Sequence, residues 1–332
     1  MKFAEKKALE KGGGAAAAPA KILTKKHGFF DEMHKNFPLY LMMIPGVLFL
    51  LAFSYLPMFG IIIAFKKVNY ATGILGSPWV GLSNFKFMFT SPDAWVITRN
   101  TIGYNLVFIF GGLIINVAMA IALNELRSKM FSKVCQTILL MPNFLSFVIV
   151  SYLALAFLQI DNGILNRVVL PALGKDTIDW YSTAGAWPYL LIFIHFWKTM
   201  GYNCIVYLAS IAGIDTQLYE AAEIDGATRW QRIRYITIPS LIPLMTILTI
   251  MNVGKIFNSD FGLFYQVPLN QGALYPTTNV ISTYVYNMMI SAGTSGMGMA
   301  SAAAFYQSVV GFILVVTTNA IVKKINPENS LF

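Results

Sequence analysis

The chain has 332 residues, 56% of them hydrophobic and only 12% charged, with a mean hydropathy of +0.61. That balance excludes the two or three soluble domains the length would otherwise allow and reads as an all-α polytopic membrane protein. The 24 Lys+Arg against 15 Asp+Glu give a formal charge of +9. In a soluble protein this would suggest nucleic acid, but here the excess sits beside apolar segments, so it reads as membrane orientation and no nucleic-acid partner is expected. Cys135 and Cys204 fall in apolar stretches without a Cys-x-x-Cys spacing, and three histidines are too few for a His-rich metal site. No bound metal is expected.

Residues 1–37 hold eight Lys, several acids and the run Gly12 to Ala18 of three glycines and four alanines. With no apolar stretch to pack or to act as a signal sequence, they are expected to form a disordered basic tail. Residues 38–332 then form a six-helix transmembrane domain. Six apolar windows are each long enough to cross a hydrocarbon core of about 30 Å. They are predicted near 39–64, 99–123, 132–159, 187–212, 241–264 and 300–322. Asn252, Lys255, Asn258 and Asp260 interrupt the fifth. An even count puts both termini on one side. The tail lysines, with Lys323 and Lys324 after the last window, place that side in the cytoplasm. Segments 124–131 and 213–240 are then inner loops carrying Arg127, Lys129, Arg229, Arg232 and Arg234. Lys66 and Lys67 run against the rule and are expected to snorkel to the interface. Trp79, Trp95, Trp180 and Trp187 fall near predicted interfaces as an anchoring belt, and Pro45, Pro57, Pro142, Gly111 and Gly112 inside the windows are expected to mark kinks or close helix contacts.

Local rules give the 213–240 loop a shape. Asp215 or Thr216 can N-cap a short helix, its acids fall in the early turns, and Gly226 can supply a left-handed stop. Arg229, Arg232 and Arg234 follow, and Pro239 with Pro243 marks re-entry into the membrane.

Within this loop Glu220-Ala221-Ala222, three residues, Gly226, nine residues, Ile236, one residue, Ile238-Pro239 resembles the conserved loop of permease subunits of type I ATP-binding-cassette importers. Ile238 stands where the pattern has Leu. Ile224-Asp225-Gly226-Ala227 and Gln231, the stretch Gly76 to Phe85, and Tyr306 to Phe312 look like the polysaccharide and complex-oligosaccharide subgroup of the maltose-type family. The resemblance implies that the loop, through Glu220, Ala221, Ala222, Asp225, Gly226, Gln231, Ile236 and Pro239, couples the permease to a separate ATPase. Small residues would permit close approach, Glu220 and Asp225 would accept charge-assisted bonds or brace the loop, and Pro239 would stiffen the join to the fifth span.

The chain has no Gly-x-x-x-x-Gly-Lys-Ser/Thr, since Gly174-Lys175 lacks the flanking residues. It is therefore read as a transport subunit and not an enzyme, with ATP and Mg held by the partner chain and no cofactor of its own. The resemblance further implies ATPase subunits, a second permease (two different permeases being usual in that branch), and an extracellular solute-binding protein docking on loops 65–98, 160–186 and 265–299. Oligosaccharides or polysaccharide fragments are the implied cargo, membrane lipid the surroundings, and the plasma membrane of a prokaryote the location.

A sugar path needs amides for hydroxyls and rings for apolar sugar faces. Asn143, Tyr152, Trp197, Tyr202, Asn203, Asn252 and Asn258 fit that description. Ionisable residues within spans, His195, Lys198, Lys255 and Asp260, are costly and face a partner, a cavity or the interface. Lys198 is read either as a structural pairing residue or as part of the path, Lys255 and Asp260 as one pair or an interfacial stretch, and His195 as a packing residue. An ion-coupled secondary transporter is the alternative reading, but it would be expected to carry internal inverted repeats and a midplane ion site.

Overall fold

The computed structural model describes residues 36–331 except Tyr70, Ala292 and Asn326. The predicted tail, apart from its last two residues, lies outside the described residues. The chain divides into two units at Phe59/Gly60. In the first, α1 (Phe37–Leu50) contains Pro45, buries no side chain, and passes into a π turn at Leu51–Tyr55. The apolar helical run that begins here is 29 residues long, Phe37–Phe65.

The second unit is built on α2 (Ala94–Asn124), α3 (Lys129–Leu140), α4 (Phe147–Leu158) and α5 (Trp187–Ala212). The short α6 (Thr216–Ile224) leads to the continuous helix α7, Arg229–Val253. Two further helices follow, α8 (Ile281–Ser291) and α9 (Thr294–Ile325). Among the described residues there is no strand, only an isolated bridge between Lys66 and Trp79. Four helical runs are long and apolar enough to cross a membrane, and a fifth crossing is made if one bent pair counts as a span. α5 matches the predicted 187–212 window and at 26 residues is about 39 Å long, but His195, Lys198 and Asn203 dilute its hydropathy.

Two predicted spans are interrupted. The window 132–159 is not one helix: Lys129–Phe144 and Phe147–Leu158 meet at 96°, because Pro142 ends the regular ladder and Ser146 caps a new helix by accepting from Ile149 N–H. The window 241–264 ends at Val253. Beyond it Gly254–Asp260 is a series of turns, including Lys255 N–H to Asn252 O at 2.9 Å and Asn258 N–H to Lys255 O at 2.8 Å. Freed carbonyls there are taken up by side chains: Gln307 Nε2 donates to Phe257 O at 2.7 Å and Asn105 Nδ2 to Asn258 O at 2.9 Å. Irregular backbone at membrane depth survives only where it is buried or lines a wet cavity.

Every π turn among the described residues, Leu51–Tyr55, Leu165–Val169, Ile233–Thr237 and Gly262–Gln266, ends two residues before a proline: Pro57, Pro171, Pro239 and Pro268. A proline removes one N–H and crowds the carbonyl four residues back; widening the preceding turn relieves the crowding without breaking the helix.

Packing within the second unit follows the rule for helices in lipid, where small residues bring backbones together. A Cβ on Gly111 would stand 2.8 Å from the Phe196 ring, and one on Gly201 would collide with the Leu139 carbonyl. Gly254 faces Val315, and Gly311 faces the Gly254 carbonyl. One buried cluster gathers Tyr104, Val150, Trp187, Leu191, Phe264 and Val280. A second gathers Val117, Ala120, Cys204, Tyr207 and Leu241 beside the 213–240 loop, with Cys135 packed against it. Both cysteines are free thiols.

Several expected interface residues serve the interior instead. Lys66 does not snorkel: it is buried, donates to Ile74 O at 3.1 Å and Leu75 O at 2.7 Å, and sits over the Trp79 ring at 5.1 Å. Trp187 is fully buried and donates to Trp180 O, while Trp180 donates to Asn166 Oδ1. Trp79 and Trp95 remain exposed. These contacts explain the Gly76 to Phe85 stretch. Asn84 Nδ2 is shared by Ala64 O and Lys66 O, both at 2.9 Å, and Phe85 meets Phe65 and Phe305. Asn84→Ala orphans two buried carbonyls and is expected to cost about 1–3 kcal/mol, seen as a lower thermal midpoint in detergent. An unchanged midpoint would remove Asn84 as the clasp of this segment.

Candidate functional site

The loop joining α5 to α7 is rigidly built. Asp215, not Thr216, caps α6 by accepting from Gln217 N–H at 3.0 Å. At its other end Gly226 takes φ +77°. Ala227 N–H reaches Ala222 O at 2.8 Å and Gly226 N–H reaches Glu223 O at 3.1 Å, the paired bonds of a Schellman turn. Thr228 and Gln231 then cap α7 reciprocally: Thr228 N–H donates to Gln231 Oε1 at 2.7 Å and Gln231 N–H to Thr228 Oγ1 at 3.3 Å. Two side-chain links tie α6 to α7. Arg232 Nη1 pairs with Glu223 Oε2 at 2.9 Å, and the Tyr219 and Thr237 hydroxyls lie 2.9 Å apart.

This assigns the loop residues. Glu223 is the brace, whereas the Glu220 and Asp225 carboxylates are exposed and have no hydrogen bond or ion pair among the described residues. Ala221 is exposed and Ala222 half-buried. Gln231 is a cap, and Ile236 is half-buried in the π turn. Pro239 lies inside α7, which runs unbroken from Arg229 to Val253, with the π turn absorbing the proline. Gly226 supplies the expected left-handed stop: nothing lies within 4 Å of a Cβ built on it, so within this chain its left-handed backbone is what requires glycine. Around these groups stand exposed apolar side chains, Leu218 at 51%, Ile224 at 88%, Trp230 at 67% and Tyr235 at 70%. A double-mutant cycle of Glu223→Gln and Arg232→Gln on thermal midpoint is expected to give a coupling of only about 0.2–1 kcal/mol, as the pair is partly solvated. A larger value would make it the principal strut of the loop.

A second feature is a polar cavity of about 430 Å³ between α2, α5 and the end of α7. Asn105, Asn116, His195, Thr199, Asn203, Thr249, Asn252, Lys255, Asn258, Ser259 and Asp260 line it. Phe108 and His195 stack there with centroids 3.6 Å apart, so His195 is a packed wall residue. Asp260 is not Lys255's partner, as no ion pair joins them; it accepts from Leu263 N–H at 3.3 Å and starts the next helical segment.

The cavity brings together Asn203, Asn252 and Asn258 of the predicted sugar path and leaves out the rest. Tyr152 and Tyr202 are exposed on the outside of the second unit. Trp197 lines a separate apolar pocket with Phe157, Leu190 and Phe193. Asn143 lies at the α3/α4 break, where Lys198 Nζ donates to Pro142 O at 3.3 Å, Asn143 O at 2.9 Å and Leu145 O. Lys198 thus has the structural role, paired with backbone. Sequence reasoning missed Asn105, Asn116, Thr199, Thr249 and Ser259. Their signal was the four-residue spacing of His195, Thr199, Asn203 and Tyr207, and the 105, 109, 112, 116 series on α2, each of which puts one stripe toward the cavity.

A polytopic helical membrane protein with a braced loop between two long helices and a polar-lined cavity beside those helices has the form of a permease. Residues 109–327 match the model of the binding-protein-dependent transport system inner membrane component. Protein LplB of Bacillus subtilis is 35% identical over 94% of this chain and 96% of its own length. The polygalacturonan/rhamnogalacturonan transport system permease protein YteP of the same organism is 34% identical over 87% and 89%. Among solved structures, a chain of a bacterial ABC transporter involved in import of the acidic polysaccharide alginate superposes with a TM-score of 0.79 at 32% identity, covering 90% of this chain and 99% of that one. A chain of a bacterial alginate ABC transporter in complex with an alginate pentasaccharide-bound periplasmic protein superposes likewise, with a TM-score of 0.79 at 31% identity over 90% of this chain and 98% of that one. The chain belongs to the family of inner-membrane permease components of binding-protein-dependent, ATP-binding-cassette importers, and is a multi-pass membrane protein. The ion-coupled alternative is left without support.

Proposed function

We propose that this permease imports oligosaccharides or polysaccharide fragments and is driven by separate ATPase subunits, which hold ATP and Mg and engage the 213–240 loop from the cytoplasm. The observation that carries this reading is the loop itself. It is braced internally by Glu223–Arg232, Tyr219–Thr237 and two caps, yet it leaves Leu218, Ile224, Trp230, Glu220 and Asp225 unengaged on its surface. A rigid element with an unburied apolar and acidic face is suited to a partner, and its continuity with α7 carries a push on the loop directly into the membrane. The names of the relatives support a carbohydrate cargo.

In this scheme ATP binding closes the ATPase pair, draws the loops together and reorients the cavity. A second permease, usually a different chain in this branch, supplies the other half of the path, and a solute-binding protein delivers cargo to segments 65–98, 160–186 and 265–299. Both termini face the cytoplasm of a prokaryotic cell whose plasma membrane holds the complex. Asn203, Asn252 and Asn258 form part of the path, together with Asn105 and Asn116.

The test is an affinity purification from mild-detergent membranes with mass spectrometry of the associated chains. Recovery of an ATP-binding-cassette ATPase and a second permease is expected, with the ATPase lost on Ile224→Asp. Recovery of this chain alone, still competent for uptake, would overturn the proposal.

A further inference from the structure

The cavity between α2, α5 and the end of α7 contains polar groups that the protein does not satisfy. The side chains of Asn116, Asn203, Asn252 and Lys255 have no hydrogen-bond or ion-pair partner among the described residues. Unsatisfied amides at this depth require water or a ligand. Lys255 differs from Lys198 in its surroundings. Lys198 is held by three carbonyls at the α3/α4 break, whereas Lys255 stands on the turn after α7, exposed to the cavity. No ion pair joins it to Asp260, which lines the same cavity and accepts from Leu263 N–H. Lys255 therefore presents an unpaired ammonium to the cavity.

We propose that Lys255 reads a carboxylate on the transported sugar, so that the chain selects uronate-containing oligosaccharides over neutral ones. This rests on the carbohydrate-importer reading above. Three freely rotating N–H donors can meet a carboxylate oxygen, and Asn116, Asn203 and Asn252 then supply donors and acceptors to neighbouring hydroxyls. The stacked Phe108 and His195 rings form an apolar wall against which a pyranose face can lie. Lys255 acts on specificity, since the loop that engages the ATPase lies at the other end of α7.

The experiment compares uptake of a galacturonate oligomer with uptake of the same oligomer after reduction of its carboxyls to primary alcohols. The importer is reconstituted with its ATPase, partner permease and binding protein. The wild type is expected to take up the anionic oligomer preferentially. Lys255→Met should lower uptake of the anionic oligomer by about tenfold, the scale of one lost charge-assisted hydrogen bond, and that of the reduced oligomer by much less. Lys255→Arg should restore most of the loss. Equal losses on both oligomers, no loss on either, or a wild type that takes up only the reduced oligomer would overturn the assignment while leaving the carbohydrate-importer reading standing. A wild type that takes up neither would count against that reading, and the assignment would fall with it.

Discussion

Lys198→Met is expected to destabilise the permease by about 2–5 kcal/mol and to open the α3/α4 break to proteolysis. The ammonium sits at the C-terminal end of the Lys129–Phe144 helix, where a cation complements the dipole and the last carbonyls have no helical partner. It donates to Pro142 O, Asn143 O and Leu145 O and lies 5.0 Å from the Phe147 ring. Pro142 O keeps a second donor in Leu145 N–H at 3.2 Å, so two carbonyls lose their partner in the variant. The cost of placing a lysine in lipid does not offset this loss. It falls on the chain before its helices associate, and association relieves it. Removing the lysine therefore removes a driving force as well as a cap. Gly201 sharpens the effect, because α5 crosses so close to Leu139 that no other side chain can move in to replace the ammonium. The readout is the fraction monodisperse after heating in detergent, together with cleavage at 141–146. A variant as heat-stable and as resistant as wild type would show that water, not Lys198, satisfies the break.

The apolar windows were legible because periodicity hardly matters when a helix is apolar all round, and α2, α5 and α9 extend close to the limits hydropathy sets. Hydropathy does not register direction: Pro142 marked a kink or close contact in the 132–159 window, but not that the chain would turn there by 96°. The same blindness hid the early end of α7. Asn252, Lys255, Asn258 and Asp260 stand out in sequence as interruptions, but only the fold shows that the last three leave the helix and, with Asn252, line a cavity. The loop of 213–240 was the most legible region, since caps and left-handed stops are decided by neighbours in sequence. Asp215, Thr228 and Gly226 do locally what their side chains dictate. The choice among Glu220, Glu223 and Asp225 was not local. It depends on Arg232 lying across the Schellman turn, which places it 2.9 Å from Glu223 and leaves the other two free for a partner. Of the predicted sugar path, Asn203, Asn252 and Asn258 meet in one cavity, while Asn143 lies apart at the α3/α4 break. The aromatics scatter, as aromatics serve packing and interface equally well.

Substitutions at Gly226 are expected to reduce coupled transport in the order Asn least, then Ala, then Val most, with Val lowering it by about tenfold, while all three variants insert and purify like wild type. Two accounts of this glycine make opposite forecasts. If a partner surface must approach it closely, side-chain size governs and Ala is milder than Asn. If the backbone governs, the φ of +77° penalises any L-residue by about 1–2 kcal/mol, and Asn, which tolerates the left-handed region, is milder than Ala. Within the chain nothing lies within 4 Å of the missing Cβ, which favours the second account. A strained residue here would relax by giving up the Ala227–Ala222 and Gly226–Glu223 bonds. α6 would then swing about the Glu223–Arg232 contact, carrying Leu218, Ile224 and Glu220 out of register with an ATPase groove. The penalty of 1–2 kcal/mol corresponds to roughly a tenfold fall in the population of the docked geometry, and β-branching places Val at the upper end. The helical bundle is untouched because the glycine lies in an exposed loop. The measurement is cargo-stimulated ATP hydrolysis and uptake by the reconstituted complex, beside the thermal midpoint of each variant. Ala milder than Asn would mean the partner approaches Gly226 directly, and full transport by the Val variant would remove the α6 turn from the coupling path.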